Sequence, residues 1–378
     1  MLINQCRVCA QKFFSEPLIQ YKNMPKAAQY LPDIGSLKED KGVDLDIYQC
    51  VGCGLVQLKS APVSYYREVV RAAAFSSEMR AFRIQQFNQL TEKYQLKNKK
   101  VVEIGCGKGE YLSLIQSVGT QAYGLEYSQA SVAECLNQGL KVSQGYIESK
   151  SYNIQHGPFD AFFILSFLEH FPDPNSALQG IHHNLVDGGL GFVEVPNFDM
   201  IIKHNLFAEF ISDHLLYFTR ETLKTMLNLN GFEVLECQNI WHDYIISAVV
   251  KKRQMLDISS FSFHQEKLRL AFDQVFDQFG KKRVAVWGAG HQALAILALL
   301  DLADRIRYIV DSATFKQNKY TPATHIPIVS PETLELDPVD AVIVMSASYS
   351  DEVVKIIREK FNPGIKVVVL RDSTLEFV

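Results

Sequence analysis

The sequence predicts an α/β protein. Its centre is a doubly wound, mostly parallel sheet, with a small cysteine-rich domain ahead of it and a second, smaller α/β unit after it. Three observations carry this. Strand-like and helix-like segments alternate from Lys99 to Lys252, the alternation restarts at Arg283, and two Cys-x-x-Cys pairs stand ahead of both stretches. Alternation of this kind reads as βαβ units on a parallel sheet. At 378 residues the chain also exceeds what one hydrophobic core normally serves.

The bulk composition excludes some functions. Lys and Arg total 38 against 42 Asp and Glu, a net charge of −4, which does not suggest a nucleic-acid binder. No apolar run reaches the ~18 residues that a membrane span needs. The start, MLINQCRVCAQKFF, lacks the basic-then-apolar pattern of a signal peptide. The expectation is a cytoplasmic protein with no membrane or nucleic-acid partner, as a monomer or homodimer. In that compartment thiols stay reduced, so paired cysteines favour metal over disulfide.

The first domain, residues 1–62, carries Cys6, Cys9, Cys50 and Cys53. Two-residue spacing lets one tight turn aim two sulfurs at one ion, and four thiolates suit tetrahedral Zn²⁺. No His or carboxylate completes an open position within the knuckles, so the expected zinc is structural. Residues 63–98 form a connector. Within it, 64–95 lack Pro and Gly and read as one or two helices.

The region 99–253 is the first alternating unit. KKVVEIG is a strand, followed by a glycine-rich turn and the helix GEYLSLIQSV, which Gly119 stops. AYGLEYS is a strand, and SQASVAECLNQ is a helix with Ser128 as its N-cap. KVSQGYIES and FDAFFILSFL read as strands, and DPNSALQGIHHNLV as a helix closed by Asp187-Gly188-Gly189. His182 and His183 are read as surface residues of that helix. The strand LGFVEVPN, the stretch ISDHLLYFT, the helix RETLKTMLNLN and an antiparallel pair, FEVLECQNI and YIISAVVKK, complete the unit. Residues 254–280 read as a helical connector. From Arg283, RVAVWGAG, HQALAILALLDL and RYIVD open a smaller dinucleotide-fold-like unit that ends with DAVIVMSAS, SDEVVKIIREKF and KVVVLRD.

Glycines mark where a ligand belongs. Glu103-Ile-Gly105-Cys-Gly107-Lys-Gly109 ends the first strand, where backbone can approach a ligand at the carboxyl edge of the sheet. Glu126 ends the next strand about twenty residues on, where a carboxylate can take both hydroxyls of a ribose. Any adenosine-containing cofactor fits that much. The acid two residues before the first glycine and the GxGxG spacing resemble motif I of the class I S-adenosylmethionine (SAM) methyltransferases. Ser166-Phe-Leu-Glu-His170-Phe-Pro-Asp-Pro174 resembles the motif after a later strand of that superfamily, and the late antiparallel pair is similar to its seven-stranded sheet. The resemblance implies that Glu103, Gly105 and Gly107 surround the methionine end of SAM. It also implies that Glu126 holds the ribose, that Tyr146, Ile147 and Glu148 flank the adenine, and that Leu165 and Ser166 line the sulfonium side.

The order of parts resembles one branch more narrowly. A four-Cys zinc domain, a methyltransferase core and a C-terminal Rossmann-like domain together are similar to the sugar C-methyltransferases, over nearly the whole chain. Asp311 to Ile328 and Trp287-Gly288-Ala-Gly290-His291 resemble that family's C-terminal signature and glycine turn. The family methylates carbon beside a ketone in a nucleotide-diphosphate deoxysugar, held in the cleft between its second and third domains. That implies substrate binding by residues 254–378, with Gly288, Gly290, His291, Lys316 and His325 as candidates, and by Tyr65 or Tyr66 at the helical entry. The turn at 288–290, followed by Asp311, also fits a GxGxxA dinucleotide pattern. NAD binding, diphosphate binding and a purely structural turn all remain open there.

Within ISDHLLYFT, Asp213-His214 aligns with the family's Glu-His pair, whose His is the proposed base. Removing a proton alpha to a ketone needs a base and a group that stabilises the enolate oxygen. Histidine suits the first task, because its ordinary pKa lies near neutrality. The resemblance implies His214 as base, Asp213 orienting it and His170 polarising the keto oxygen. Ile211 stands where the family commonly has Tyr, and Asp213 where it has Glu. The expected activity is SAM-dependent methyl transfer to such a sugar. An O- or N-methyltransferase, or a homologue that binds without turnover, is the alternative.

Overall fold

The computed structural model describes residues 3–27, 31–68, 76–280 and 282–378. The chain forms two compact units, Met1–Met255 and Leu256–Val378. Among the described residues no helix is long and apolar enough to cross a membrane.

The first unit contains two sheets. The larger has seven strands in the order Phe232–Ile240, Ile245–Lys252, Leu185–Pro196, Phe159–Leu165, Lys100–Ile104, Gln121–Glu126, Val142–Gln144. The last five are mutually parallel, and Ile245–Lys252 runs antiparallel to both of its neighbours. This doubly wound order, with its late antiparallel pair, is the one expected from the sequence, and it brings the carboxyl ends of the parallel strands to one edge, where ligands bind in such sheets. Phe162, Phe163, Val193 and Val195 on the central strands are fully or almost fully buried, as strands covered on both faces must be.

Three local readings need correction. The segment KVSQGYIES is a strand only over Val142–Gln144, because the chain leaves the sheet edge at Gly145. Gly188-Gly189 do not close a helix. The helix ends at His183, and the glycines lie in a bulged strand that passes from Leu185 opposite Phe159 to Leu190 opposite Ala161. His182 is only half-buried at that surface: its ring packs edge-on against Phe232 at 5.6 Å. His183 is exposed, as expected.

One helix, Ser77–Lys93, occupies the later part of the connector, capped by the Ser76 hydroxyl; residues 69–75 of that reading lie outside the described residues. Its buried positions, Arg83, Phe87 and Thr91, recur every four residues and form one stripe. The Arg83 guanidinium meets the buried carboxylate of Glu194 at 2.5 Å, and Gln86 holds the other oxygen of that carboxylate at 2.6 Å. The helix is thereby pinned to the central strand.

The smaller sheet joins the cysteine-rich region to the unit built on the larger sheet. Its strands, Ile19–Met24, Val43–Gln49 and Val56–Leu58, are antiparallel, and the fourth is Leu216–Tyr217 from inside ISDHLLYFT. This cross-domain pairing holds the backbone immediately after His214.

The second unit has a seven-stranded sheet of its own. Four parallel strands, Ile306–Val310, Val284–Trp287, Ala341–Val344 and Lys366–Arg371, form its middle. Pro327–Val329 continues them, and Lys319–Tyr320 and Thr374–Phe377 close the two edges antiparallel. Both edge strands were unforeseen: two to four mixed residues carry no readable alternation.

Candidate functional site

The strand Lys100–Ile104 delivers Glu103, buried, and then the glycine loop. Gly105, Gly107 and Gly109 all have positive φ, at 71°, 56° and 86°. A side chain is strained in that region, and at Gly109 a Cβ would also strike Leu140 at 2.3 Å. Glu126 ends the adjacent strand. Its carboxylate accepts from the amides of Gly107 and Ser128, each at 2.9 Å, so it ties the glycine loop to the second strand. Burial pushes its pKa up, against the opposing pull of those amides.

Tyr146 leaves the sheet edge and stacks on Phe171, with ring centroids 5.3 Å apart. Tyr66 and Tyr127 meet it edge-on. The Arg67 guanidinium lies 5.3 to 5.5 Å from the ring centres of Tyr66, Tyr127 and Tyr146, and 3.4 Å from the Glu148 carboxylate. Arg67 and Tyr127 were not foreseen from sequence. An Arg following two tyrosines was the available signal. Ile147 is buried. Ser166 is exposed at a strand end with φ 52°, a strained value of the kind that collects at functional sites. Leu165 is buried in the core cluster that contains Phe87 and Tyr111. A carboxylate, a glycine-lined turn and an aromatic surface make a donor set that fits the ribose, backbone and adenine needs of SAM.

The second group of candidates meets where ISDHLLYFT packs on the turn at 168–170. The rings of His170 and His214 lie 4.8 Å apart, edge to face. His170 Nδ1 is 2.8 Å from the carbonyl oxygen of Asp213. The Asp213 carboxylate, 4% exposed, accepts from the Tyr65 hydroxyl at 2.7 Å. Tyr65 therefore joins the two histidines through Asp213, whereas Tyr66 faces the aromatic group. Ile211 is held through its backbone: its amide donates to the Tyr217 hydroxyl at 3.0 Å, and that hydroxyl donates to its carbonyl at 3.2 Å. Burial, with His170 nearby, pulls His214 down to about 3, and burial lowers His170 as well. Both rings are neutral at neutral pH.

Glu169 was overlooked in the sequence, although an acid among Phe, Leu and Phe was visible there. It is 1% exposed, one carboxylate oxygen has no hydrogen-bond partner, and the other is 3.9 Å from His170 Nε2. A cavity of about 820 Å³ opens beside Tyr65 and Ser212, with Lys26, Asp44, Ser60 and Glu68 among its lining residues.

Two family models match the chain: "Methyltransferase domain" over residues 75–237 and "C-methyltransferase C-terminal domain" over residues 259–370. The chain is a SAM-dependent methyltransferase. Among curated relatives, the "C-methyltransferase NovU" of Streptomyces niveus is 23% identical over 97% of this chain and 95% of its own. The "Ubiquinone biosynthesis O-methyltransferase" of Pseudomonas aeruginosa strain LESB58 is 30% identical over 34% of this chain and 57% of its own. Among solved structures, a SAM-dependent methyltransferase from Clostridium acetobutylicum aligns at 13% identity and a TM-score of 0.39, covering 48% of this chain and 96% of that one.

The four cysteines of this methyltransferase converge. Cys6 and Cys53 sulfurs lie 3.6 Å apart, Cys9 and Cys50 sulfurs 3.4 Å, and all four fall within 4.8 Å of one another. Tetrahedral zinc with bonds of about 2.3 Å spaces its sulfurs at about 3.8 Å, so the donor set fits the ion. The Val8 and Gly52 amides and the Gln57 side chain point N–H groups at these sulfurs, as groups that orient metal ligands do.

The second unit presents a closed turn. Gly288 has φ 115°, and a Cβ there would meet the Met345 carbonyl at 2.7 Å. Asp311 is spent internally: its carboxylate accepts from the Ala289 and Ala313 amides and from Lys316 Nζ at 2.9 Å. Lys316 sets it apart from Glu126, whose carboxylate accepts from two amides and, among the described residues, carries no ion pair with a lysine. Gly290 caps the helix His291–Leu299 with open space round its Cα. His291 and His325 are exposed, and Lys316 is half-buried.

Proposed function

We propose that this methyltransferase methylates carbon alpha to the ketone of a nucleotide-linked keto-deoxysugar. The observation that carries the reading is the pair of neutral imidazoles, His170 and His214, beside the carboxyl edge of the SAM-type sheet. The near full-length match to a C-methyltransferase supports carbon as the acceptor. The sequence likeness to the sugar C-methyltransferases supports the sugar.

SAM, when bound, supplies the electrophilic methyl. Glu126 and the Gly105–Gly109 turn hold its ribose and backbone, and Tyr146 takes its adenine. His214, neutral and close to the open edge, accepts the alpha proton. His170, its Nδ1–H held by the Asp213 carbonyl, polarises the keto oxygen when a second proton sits on Nε2. Asp213 fixes two groups at once, His170 through its carbonyl and Tyr65 through its carboxylate. The cavity beside Tyr65 and Ser212 admits the sugar nucleotide, with Lys26 offering a cation to its phosphates. Cys6, Cys9, Cys50 and Cys53 hold a structural zinc that keeps the small sheet, and with it the backbone at Leu216, in register.

The test is proton exchange. Incubated in D₂O without SAM, the enzyme exchanges the alpha proton of a thymidine-diphosphate-linked 4-keto-deoxyhexose, and with SAM it forms a carbon-bound methyl group. His214→Gln loses exchange and turnover by about 10²-fold or more while S-adenosylhomocysteine affinity stays within about twofold. Methylation of a hydroxyl without exchange at carbon refutes the reading.

A further inference from the structure

Residues 63–68 form a short turn that touches two groups of candidates at once. The Tyr66 amide donates to the Val63 carbonyl at 3.2 Å, and the Glu68 amide donates to the Tyr65 carbonyl at 2.9 Å. These two overlapping bonds tie the backbone of the turn together. Its successive side chains serve different places. The Tyr65 hydroxyl donates to Asp213 Oδ2 at 2.7 Å, and the Asp213 carbonyl holds His170 Nδ1 at 2.8 Å. The Tyr66 ring instead meets Tyr146 edge-on at 5.7 Å.

Arg67 completes the aromatic side. Its Nε donates to the Tyr66 hydroxyl at 3.1 Å, and the Glu148 carboxylate lies 3.4 Å from it. Phe171 stacks on Tyr146 within 21° of parallel. The half-buried Arg67 guanidinium lies over the Tyr146 ring, 5.5 Å from its centre. A planar guanidinium stacks well on aromatic faces and on nucleic bases. A purine between the two needs about 7 Å, twice a contact distance of about 3.5 Å. The long Arg67 side chain can give that room through its own torsions, without moving the turn.

We propose that Arg67 closes over the adenine of bound SAM, and that its turn carries this contact through Tyr65 to Asp213. Cofactor binding thereby steadies the carbonyl that orients His170, whether or not a methyl acceptor is present. This rests on the reading that Tyr146 takes the adenine, and not on the identity of the acceptor. Arg67 is a cofactor-binding residue. Tyr65 acts through Asp213 and is a positioning residue. Coupling of this kind is reciprocal. If the cofactor strengthens the bond from Tyr65 to Asp213, that bond strengthens cofactor binding by the same factor, although Tyr65 does not touch the cofactor.

The experiment is calorimetric titration of S-adenosylhomocysteine into the full chain. Arg67→Met weakens binding about tenfold by removing the stacking partner. Tyr65→Phe keeps the ring, removes the hydroxyl and weakens binding about fivefold or more. The combined variant binds about as Arg67→Met does, because the turn no longer has a hold on the cofactor. In ¹⁵N-histidine spectra, S-adenosylhomocysteine shifts the His170 Nδ1 signal of wild type and not that of Tyr65→Phe. If Tyr146→Ala and Arg67→Met both bind as wild type does, the adenine reading falls and the proposal with it. If those two weaken binding while Tyr65→Phe does not, or if the losses multiply in the combined variant, the coupling alone is overturned.

Discussion

The sealed carboxyl of Glu169 has a stability signature. Its ordinary value is 4.5, and burial raises it to about 8 in the folded chain. Between those pH values the folded state binds a proton that the unfolded state has released. Stability therefore falls as pH rises through that window, is fully present below 4.5 and is lost above about 8. At about 1.4 kcal/mol for each pH unit crossed, the ceiling is about 5 kcal/mol. Gln at the same position has the shape of the protonated acid and no such dependence. Glu169→Gln is therefore expected to match wild type near pH 4.5 and to exceed it increasingly towards pH 8. The assay is urea unfolding of both proteins at half-unit pH steps, followed by a probe in the first unit. A constant difference across the window, or a variant less stable at pH 8 than wild type, refutes the argument that the carboxyl is held neutral.

Two further outcomes follow from the same geometry. Purified without chelator, the protein carries about one zinc per chain by metal analysis. Cys50→Ser lowers that content, and melts the small sheet first, because Cys50 follows directly on the strand Val43–Gln49. Arg83→Met strands the Glu194 carboxylate among buried groups and costs about 3–5 kcal/mol in denaturant unfolding. Arg83→Met combined with Glu194→Leu recovers most of that loss, since no charge is then left unpaired.

Local order was legible because its causes are local. Alternating apolar segments, the three positive-φ glycines after Glu103 and the Ser128 position declare themselves within a few residues. The four cysteines declare themselves through spacing, and they do converge. The errors lay where sequence neighbours do not decide the outcome. Gly188-Gly189 suit a turn and a bulge equally, and the pairing of Phe159 with Leu185 selects the bulge. His182 sits on a helix that is polar at that point, yet Phe232 covers it from another strand.

The sequence by itself determined that this is a doubly wound methyltransferase with a cysteine-rich domain ahead of it, and it offered His170 and His214 as site candidates. Glycine turns, cap residues and metal-ligand spacings are written in short range. The tertiary structure decided what each of those groups does. Asp213 precedes His214, but its carboxylate reaches Tyr65, 148 residues away, and its carbonyl reaches His170. Glu169 stands beside His170 in sequence, but only packing seals its carboxyl from solvent. Tautomers and proton affinities depend on burial and on the partner across a contact, and the fold alone sets both.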